Sequence, residues 1–512
     1  MKKNLALSVL FSAVVGGCMV GVDYKRPKTD APAQFAEGHN GPSTQPAVVV
    51  DLTKWWKTFN DPELESLVDR AVQTNFDVQT AEANVRAARA QLGVEEANLF
   101  PTVDASGGYT RSQSSLNASS GSITGTTSGT AGATGATGSS GSLSGFSVRR
   151  QRDLYQAGFD AGWEVDVFGG TRRGIEAAAS DLEAQVNARR NVLVSVTAEV
   201  ARNYIQLRGL QRQLELTFNN LKAQQDTLDL TRSRFKAGLT SDLDVARAQA
   251  LVATTAAQVP ALEIQIKQTI HRLGILLGEE PMALAAELGK TAPIPPSPSE
   301  VPVGLPSELL RRRPDVRQAE RQLEASTARI GVAVAQLFPR FSLTGSLGQE
   351  SGRFGLLARG DSTFWSFGPS VTWRVFDTNQ LINQVRVANA QQQASLINYK
   401  RTVLQSFSDV EDALVAYSQD QNRTRSLADS VAANQRAVDL SNQLYARGLG
   451  DFLNVLDAER QLYAAENDLT ISEAAVGSDL VQLFKALGGG WDETNEKEFE
   501  KHEDPKQKVA ME

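Results

Sequence analysis

The sequence predicts a mixed α+β membrane protein: a duplicated chain with two β-hairpins and very long helices, whose barrel wall is shared between chains. Three observations predict it. Landmarks recur at fixed distances in the two halves, short segments alternate apolar and polar residues, and two stretches of more than 60 residues almost lack helix breakers.

The duplication comes first, because a repeat fixes the architecture before any single element does. Leu99-Phe100-Pro101 matches Leu337-Phe338-Pro339, 238 residues on. Val167-Phe168 matches Val375-Phe376, the turn at Lys236 to Leu239 matches Ala446 to Leu449, and Leu273 to Gly278 matches Leu483 to Gly488; these lie 208 to 210 residues apart. The difference is an insertion in the first half between 112 and 150. Each half therefore reads as helix, strand, loop, strand, very long helix, tight turn, long helix. The repeats span 63–290 and 307–490, with a lipidated N-terminal segment at 18–62, a Pro-rich linker at 291–306 and a charged tail at 491–512.

Residues 1–17 read as a secretory signal. Lys2 and Lys3 precede a short apolar run, Leu5 to Val15, and the small residues Gly16 and Gly17 precede Cys18, the chain's one cysteine. A cysteine in this setting resembles a lipobox, and Cys18 becomes the lipidation site; the alternative is an ordinary signal peptide with a chance cysteine. No later segment offers 18 consecutive apolar residues, so no helix after the signal is expected to span a membrane. A crossing must then be a closed β-barrel, because unpaired backbone groups in lipid are too costly.

Strands are expected at about 102–111, 155–168, 340–349 and 364–376. From Tyr155 to Val167 the odd positions are apolar or aromatic, and Gln156, Asp160, Glu164 and Asp166 fall between them. Trp365, Phe367, Val371, Trp373 and Val375 repeat the pattern against Ser366, Ser370, Thr372 and Arg374. Alternation over about ten residues marks a transmembrane barrel strand; a soluble amphipathic sheet alternates too, but no further strands are available for it to pack on. Four strands cannot close a barrel when the smallest single-chain examples need about eight. The wall must be shared, by two chains or by three. Residues 112–147 are nearly all Ser, Gly, Thr, Ala and Asn and read as a loop without a core of its own.

Helices are expected over 174–237, 242–277, 380–447 and 451–487. Leu381 to Arg447 holds 67 residues with no Gly or Pro, and Ile175 to Ala237 holds 63 with only Gly209. Heptad spacing of Leu214, Leu221, Leu228 and Phe235, and of Val431, Val438 and Tyr445, predicts supercoiling against neighbours. Pro260 predicts a kink in the second long helix, 242–277, where Thr470 stands in the repeat. Ser241 or Asp242 is expected to cap its start.

Composition excludes several functions. A net charge of −7 and the lack of a basic stripe with aromatics argue against nucleic acid. Three scattered histidines, His39, His271 and His502, give neither a metal cluster nor a triad, and no phosphate-binding GxxxxGK[ST] loop is present. The chain is read as a non-enzyme with no cofactor beyond the lipid on Cys18.

At this point the sequence resembles the TolC-like outer-membrane factor family, especially its OprM/NodT lipoprotein branch. The resemblance rests on Cys18 to Pro27, on Trp55-Trp56-Lys57-Thr58-Phe59-Asn60-Asp61-Pro62, and most of all on Leu305 to Leu310, Arg313-Pro314-Asp315-Val316, Ala319-Glu320 and Phe338-Pro339. It implies a homotrimer with a shared 12-stranded transmembrane barrel and a shared 12-helix α-barrel in the periplasm. It implies an exit duct for small molecules in the outer membrane, fed by an inner-membrane pump of the resistance-nodulation-division type through a periplasmic adaptor. Gly238, Leu239, Thr240, Gly448 and Leu449 correspond to the adaptor-docking tip. Asp457 corresponds to a gate carboxylate, and Asp244 and Tyr445 to partners in the ties that close the gate; a solvated helix face is the plain alternative for Asp457. Asn454 and Gly450 depart from the family's gate, where some members carry an acid and an arginine. A duct for type I protein secretion is the rival function, and a trimeric adhesin the rival class.

Overall fold

The computed structural model describes residues 19–28, 32, 35, 36, 51–113, 151–298, 306–376 and 378–492. Cys18, the leader before it, most of the first strand loop and the charged tail lie outside these residues. Two compact units divide the chain, and each draws on both halves. The first comprises Met1–Val22, Gly93–Ile175 and Ala328–Ala388; the second comprises Asp23–Leu92, Glu176–Thr327 and Asn389–Glu512.

In chain order the elements are a 3-10 segment (Leu52–Phe59), α1 (Pro62–Thr74), α2 (Phe76–Ala97), β1 (Thr102–Gln113), β2 (Gln151–Val165), α3 (Gly170–Lys236), α4 (Asp242–Ala256), α5 (Gln258–Leu276) and α6 (Ala285–Leu288). The second half supplies α7 (Pro306–Arg312), α8 (Pro314–Ala335), β3 (Arg340–Ser351), β4 (Thr363–Thr372), α9 (Thr378–Ala446) and α10 (Phe452–Ala486).

The first unit is built on one antiparallel sheet in the order β1-β2-β3-β4. Phe159 faces Leu347, Trp163 faces Leu343 and Leu347 faces Trp365, so apolar residues of adjacent strands share one side. Ser342 bonds Ser370 and Ser346 bonds Ser366 across β3 and β4, both at 2.7 Å, so the other side is polar. Both hairpins carry the same anchor. Trp163 Nε1 donates to Leu99 O at 2.9 Å, and Trp373 Nε1 donates to Leu337 O at 3.1 Å. Each bond ties the strand after the loop to the Leu-Phe-Pro corner that ends the preceding helix.

The second unit holds the apolar core. Trp55, Phe59, Leu64, Leu67, Leu207, Leu273, Leu277 and Phe484 are buried in one cluster, with Trp55 stacked on Phe484 at 5.2 Å. Helix ends meet there in a repeated way. Asn75 caps α2 and its Nδ2 donates to Leu276 O at 2.8 Å, while Arg313, at the matching place before α8, donates to Ala486 O at 3.1 Å. Gly278 and Gly488 end α5 and α10 in the left-handed region, at φ +68° and +71°.

The expected kink falls at Ala257, between α4 and α5, three residues before Pro260. Proline has no N–H for the Ala256 carbonyl one turn back, and its ring crowds that carbonyl, so the helix breaks there. In the repeat Thr470 instead bonds Glu466 O at 3.0 Å, and α10 runs unbroken.

Candidate functional site

Two places stand out, the sheet of the first unit and the helix turns of the second. On the sheet, the side that would be a core in a soluble protein is bare. Trp365, Phe367 and Val371 are 75%, 68% and 60% exposed. Val103, Phe159 and Leu347 on neighbouring strands are exposed as well. Among the described residues the outer strands β1 and β4 have no strand partner beyond them, so each presents an open row of backbone groups. A sheet with a bare apolar face and two open edges is stable in lipid only if other chains complete it.

The turns joining α3 to α4 and α9 to α10 share one design. Gly238 and Gly448 have φ of +71° and +73°. Gly238 N donates to Phe235 O and Leu239 N to Arg234 O; Gly448 N donates to Tyr445 O and Leu449 N to Leu444 O. These paired bonds are the Schellman ending, which requires the left-handed residue that glycine supplies. Leu239 and Leu449 follow at 66% and 74% exposure, apolar side chains held outward on rigid turns.

The acidic start of α4 is self-contained. Asp244 accepts from Thr240 Oγ1 at 2.7 Å, from Ser241 Oγ at 2.9 Å and from Ser241 N at 3.4 Å, and pairs with Arg247 at 3.8 Å. Burial raises its pKa, but the Thr240 and Ser241 hydrogen bonds outweigh that and hold it below the usual carboxylate value. Thr240 thus orients the carboxylate as well as shaping the turn.

Tyr445 is only 3% exposed, packed with Leu228, Ala248, Phe452 and Val455. Within the chain it is not joined to Asp244. Arg234 lies over its ring at 4.6 Å and donates to Tyr445 O and Ala446 O, capping the end of α9. Asp457 is exposed on α10, Asn454 is exposed at its start, and Gly450 sits so close to Leu444 that a Cβ would meet its Cβ at 3.1 Å. Sequence reading missed Arg234. A cation in the last turn of a helix is a recognisable signal, but the helix end it serves belongs to the other half of the chain, 211 residues away. Here the duplication is broken: Leu444 stands where Arg234 does in the first half, and Phe235 where Tyr445 does in the second.

No group of three or more metal-ligating side chains comes together among the described residues. A family profile described as Outer membrane efflux protein matches residues 67–279 and 305–489. The chain belongs to that family. Relatives of the outer membrane efflux protein family cover nearly the whole chain. Nodulation protein T of Rhizobium leguminosarum bv. trifolii is 32% identical over 486 residues, 94% of this chain and 96% of that protein. The toluene efflux pump outer membrane protein TtgI of Pseudomonas putida is 33% identical over 497 residues, 96% of this chain and 98% of that protein. Among solved structures, the outer-membrane channel OprN matches with a TM-score of 0.81 and 34% identity, over 93% of this chain and all of that one. The open state of the Neisseria gonorrhoeae MtrE outer membrane channel matches at 0.77 and 28%, over 93% of this chain and 99% of that one. The chain is an outer-membrane component of an efflux system, with the duplicated hairpin-and-long-helix protomer of such channels.

Proposed function

We propose that three copies of this chain assemble into the exit duct of a tripartite efflux system. Each copy contributes its four strands to one 12-stranded barrel, with the Phe367 side against lipid and the Ser346 side toward water. The bare apolar face of the sheet, flanked by two open edges, is the observation that carries this reading. The long helices continue the wall as a 12-helix barrel in the periplasm, and a lipid on Cys18 anchors the N-terminus in the outer membrane. A periplasmic adaptor docks at Gly238, Leu239, Thr240, Gly448 and Leu449, where two rigid turns offer exposed leucines. An inner-membrane pump of the resistance-nodulation-division type supplies the energy and selects the cargo.

Asp457, Asp244 and Tyr445 belong to the gate. Copies of the exposed Asp457 around a narrow axis repel one another and favour cations over anions. Asp244 and Tyr445 contribute by fixing the turns and helix ends that must part for opening. The cargo is small, toxic and partly apolar. The naming of a relative as a toluene efflux component supports this over protein secretion.

Purified protein in a planar bilayer is expected to give discrete, cation-selective conductance, with a mass in detergent of three chains. Deletion of the gene is expected to sensitise cells to toluene and to hydrophobic antibiotics. A monomer that stays soluble without detergent, or a bilayer with no conductance, would overturn the proposal.

A further inference from the structure

Inside the chain the two hairpins meet at one seam, β2 against β3, and that seam is a template for the open edges β4 and β1. The hairpins share one register. Thr102 faces Gly162 in the first, and Arg340 faces Thr372 in the second, 238 and 210 residues on. The anchoring tryptophans Trp163 and Trp373, also 210 apart, fix the same correspondence. β3 therefore repeats β1, and β4 repeats β2. Where β2 meets β3, Gly162 faces Thr344. The pairing that starts at Thr102 and passes through Gly162 thus arrives at Thr344, four residues beyond Arg340, the repeat of Thr102. This stagger sets the tilt of the strands, because tilt and stagger are linked in a barrel.

A regular closed barrel has one tilt, so the seam between copies needs the same four-residue stagger. Thr372 of one copy then faces Ser106 of the next, Val375 faces Val103, and Arg374 faces Asp104. Charge selects the same register independently. Asp104 and Arg374 are both exposed. Within the chain Asp104 faces Asp160, and like charges directly opposite are destabilising. Arg374 of a neighbour brings the opposite sign to that place. A slip of two residues, the smallest that keeps each face on its own side, would set Arg374 against Thr102 or Ser106 instead. The strand ends agree as well. The last residues of β2, Trp163 to Val165, pair with β3 alone. Their repeats, Trp373 to Val375, have no strand partner among the described residues, and β4 stops at Thr372. In the inferred register β1 of the next copy pairs them, as β3 pairs Trp163 to Val165.

We propose that β4 of each copy joins β1 of the next, antiparallel, with Thr372 facing Ser106 and an ion pair from Arg374 to Asp104. The inference rests on the shared-barrel reading and adds to it the register and the charge pair that selects it. The partner is a second copy of this chain, and the contact is head to tail, so it closes into a ring.

The test uses the full chain in detergent. In Thr372→Cys/Ser106→Cys the two thiols face each other across the seam, within reach of a disulfide. In Thr372→Cys/Asp104→Cys and Thr372→Cys/Gly108→Cys they are diagonal neighbours, about 7–8 Å apart. Mild oxidation is expected to yield covalent trimers on denaturing gels from the first variant, several-fold more than from the other two; single-cysteine variants control for Cys18. Arg374→Asp is expected to lower the temperature at which the trimer dissociates, and adding Asp104→Arg to raise it again. Should the charge variants fail to fold, the cysteine series still decides, since Thr372→Cys/Ser106→Cys leaves both charges in place. A native mass of one chain overturns the shared-barrel reading and this inference with it. A native trimer that cross-links mainly through position 104 or 108, or that Asp104→Arg fails to restore, overturns the register alone.

Discussion

Removing the guanidinium of Arg313 is expected to loosen the end of α10 more than any other single polar substitution in that region. The side chain donates from Nε to Asp315 Oδ1 at 3.0 Å and from Nη2 to Asp315 Oδ2 at 2.7 Å and Asp409 Oδ2 at 2.9 Å. Nη1 donates to Ala486 O at 3.1 Å and Ser406 O at 3.5 Å. Arg313→Met keeps much of the volume but leaves two carboxylates facing each other without a cation. Breaking a buried ion pair by removing one partner costs about 3–5 kcal/mol. Here Asp315 and Asp409 keep 27% and 29% of their side-chain surface in water, and each retains another donor, Val316 N and Gln405 Nε2. The low end, about 3 kcal/mol, is therefore expected. Native-state hydrogen exchange reads such a local loss directly, and the amides of residues 487–489 should lose roughly 150-fold in protection. Adding Asp409→Asn to the variant should recover about 1 kcal/mol by removing one stranded charge. The repeat supplies a control. Asn75→Ala removes a neutral cap at the matching position and should cost only about 1 kcal/mol. A change of less than about threefold for Arg313→Met, or a further loss with Asp409→Asn, would refute the reasoning.

Three other outcomes follow from the geometry. Gly238→Ala and Gly278→Ala force the same left-handed backbone, but a Cβ at 238 meets open space and one at 278 lies 2.5 Å from Thr74 O. The first should cost about 1–2 kcal/mol and the second clearly more, measured as relative thermal midpoints; equal midpoints would refute the packing argument. Burial, followed by the neighbouring Asp420, pushes the Asp479 carboxyl up to about 7. Since a free aspartate ionises near about 3.9, the unfolded chain sheds a proton that the folded chain keeps as pH rises from about 4 to 7. Stability should fall across that window and level off above it. Asp479→Asn should therefore raise the melting point at pH 8 and leave it nearly unchanged at pH 4, and a pH-independent difference would count against the assignment. On the sheet, Phe367→Lys should cost about 2–4 kcal/mol and impair membrane insertion, whereas Ser366→Lys on the opposite face should insert normally. The reverse order would mean that the faces are misassigned.

Much of the architecture was open to reading because it follows from local pattern. Alternation at Tyr155 to Val165 survives into the sheet because the register pairs apolar with apolar, as Phe159 with Leu347. The long helices were visible through the absence of glycine and proline, and the turns through Gly238 and Gly448. The bend showed less clearly, since Pro260 acts on the carbonyl a turn earlier and displaces the break to Ala257. The polar clamps were hidden. Arg313 stood out in a family-like motif, yet its partners Asp409 and Ala486 lie 96 and 173 residues on. The same holds for Arg234, which caps the end of a helix from the other half. Pairwise contacts of that range leave no periodic trace, so only coordinates disclose them.

The open edges of β1 and β4 bear on how cells would tolerate damage to this gene. A wall finished by neighbours makes every closed ring hostage to its worst member. If a fraction of the chains carried a proline that spoiled one margin, intact rings would decline as a power of the healthy fraction and not in simple proportion. Such an allele would be dominant over a normal copy, while a complete loss of expression from one copy would only lower the number of rings.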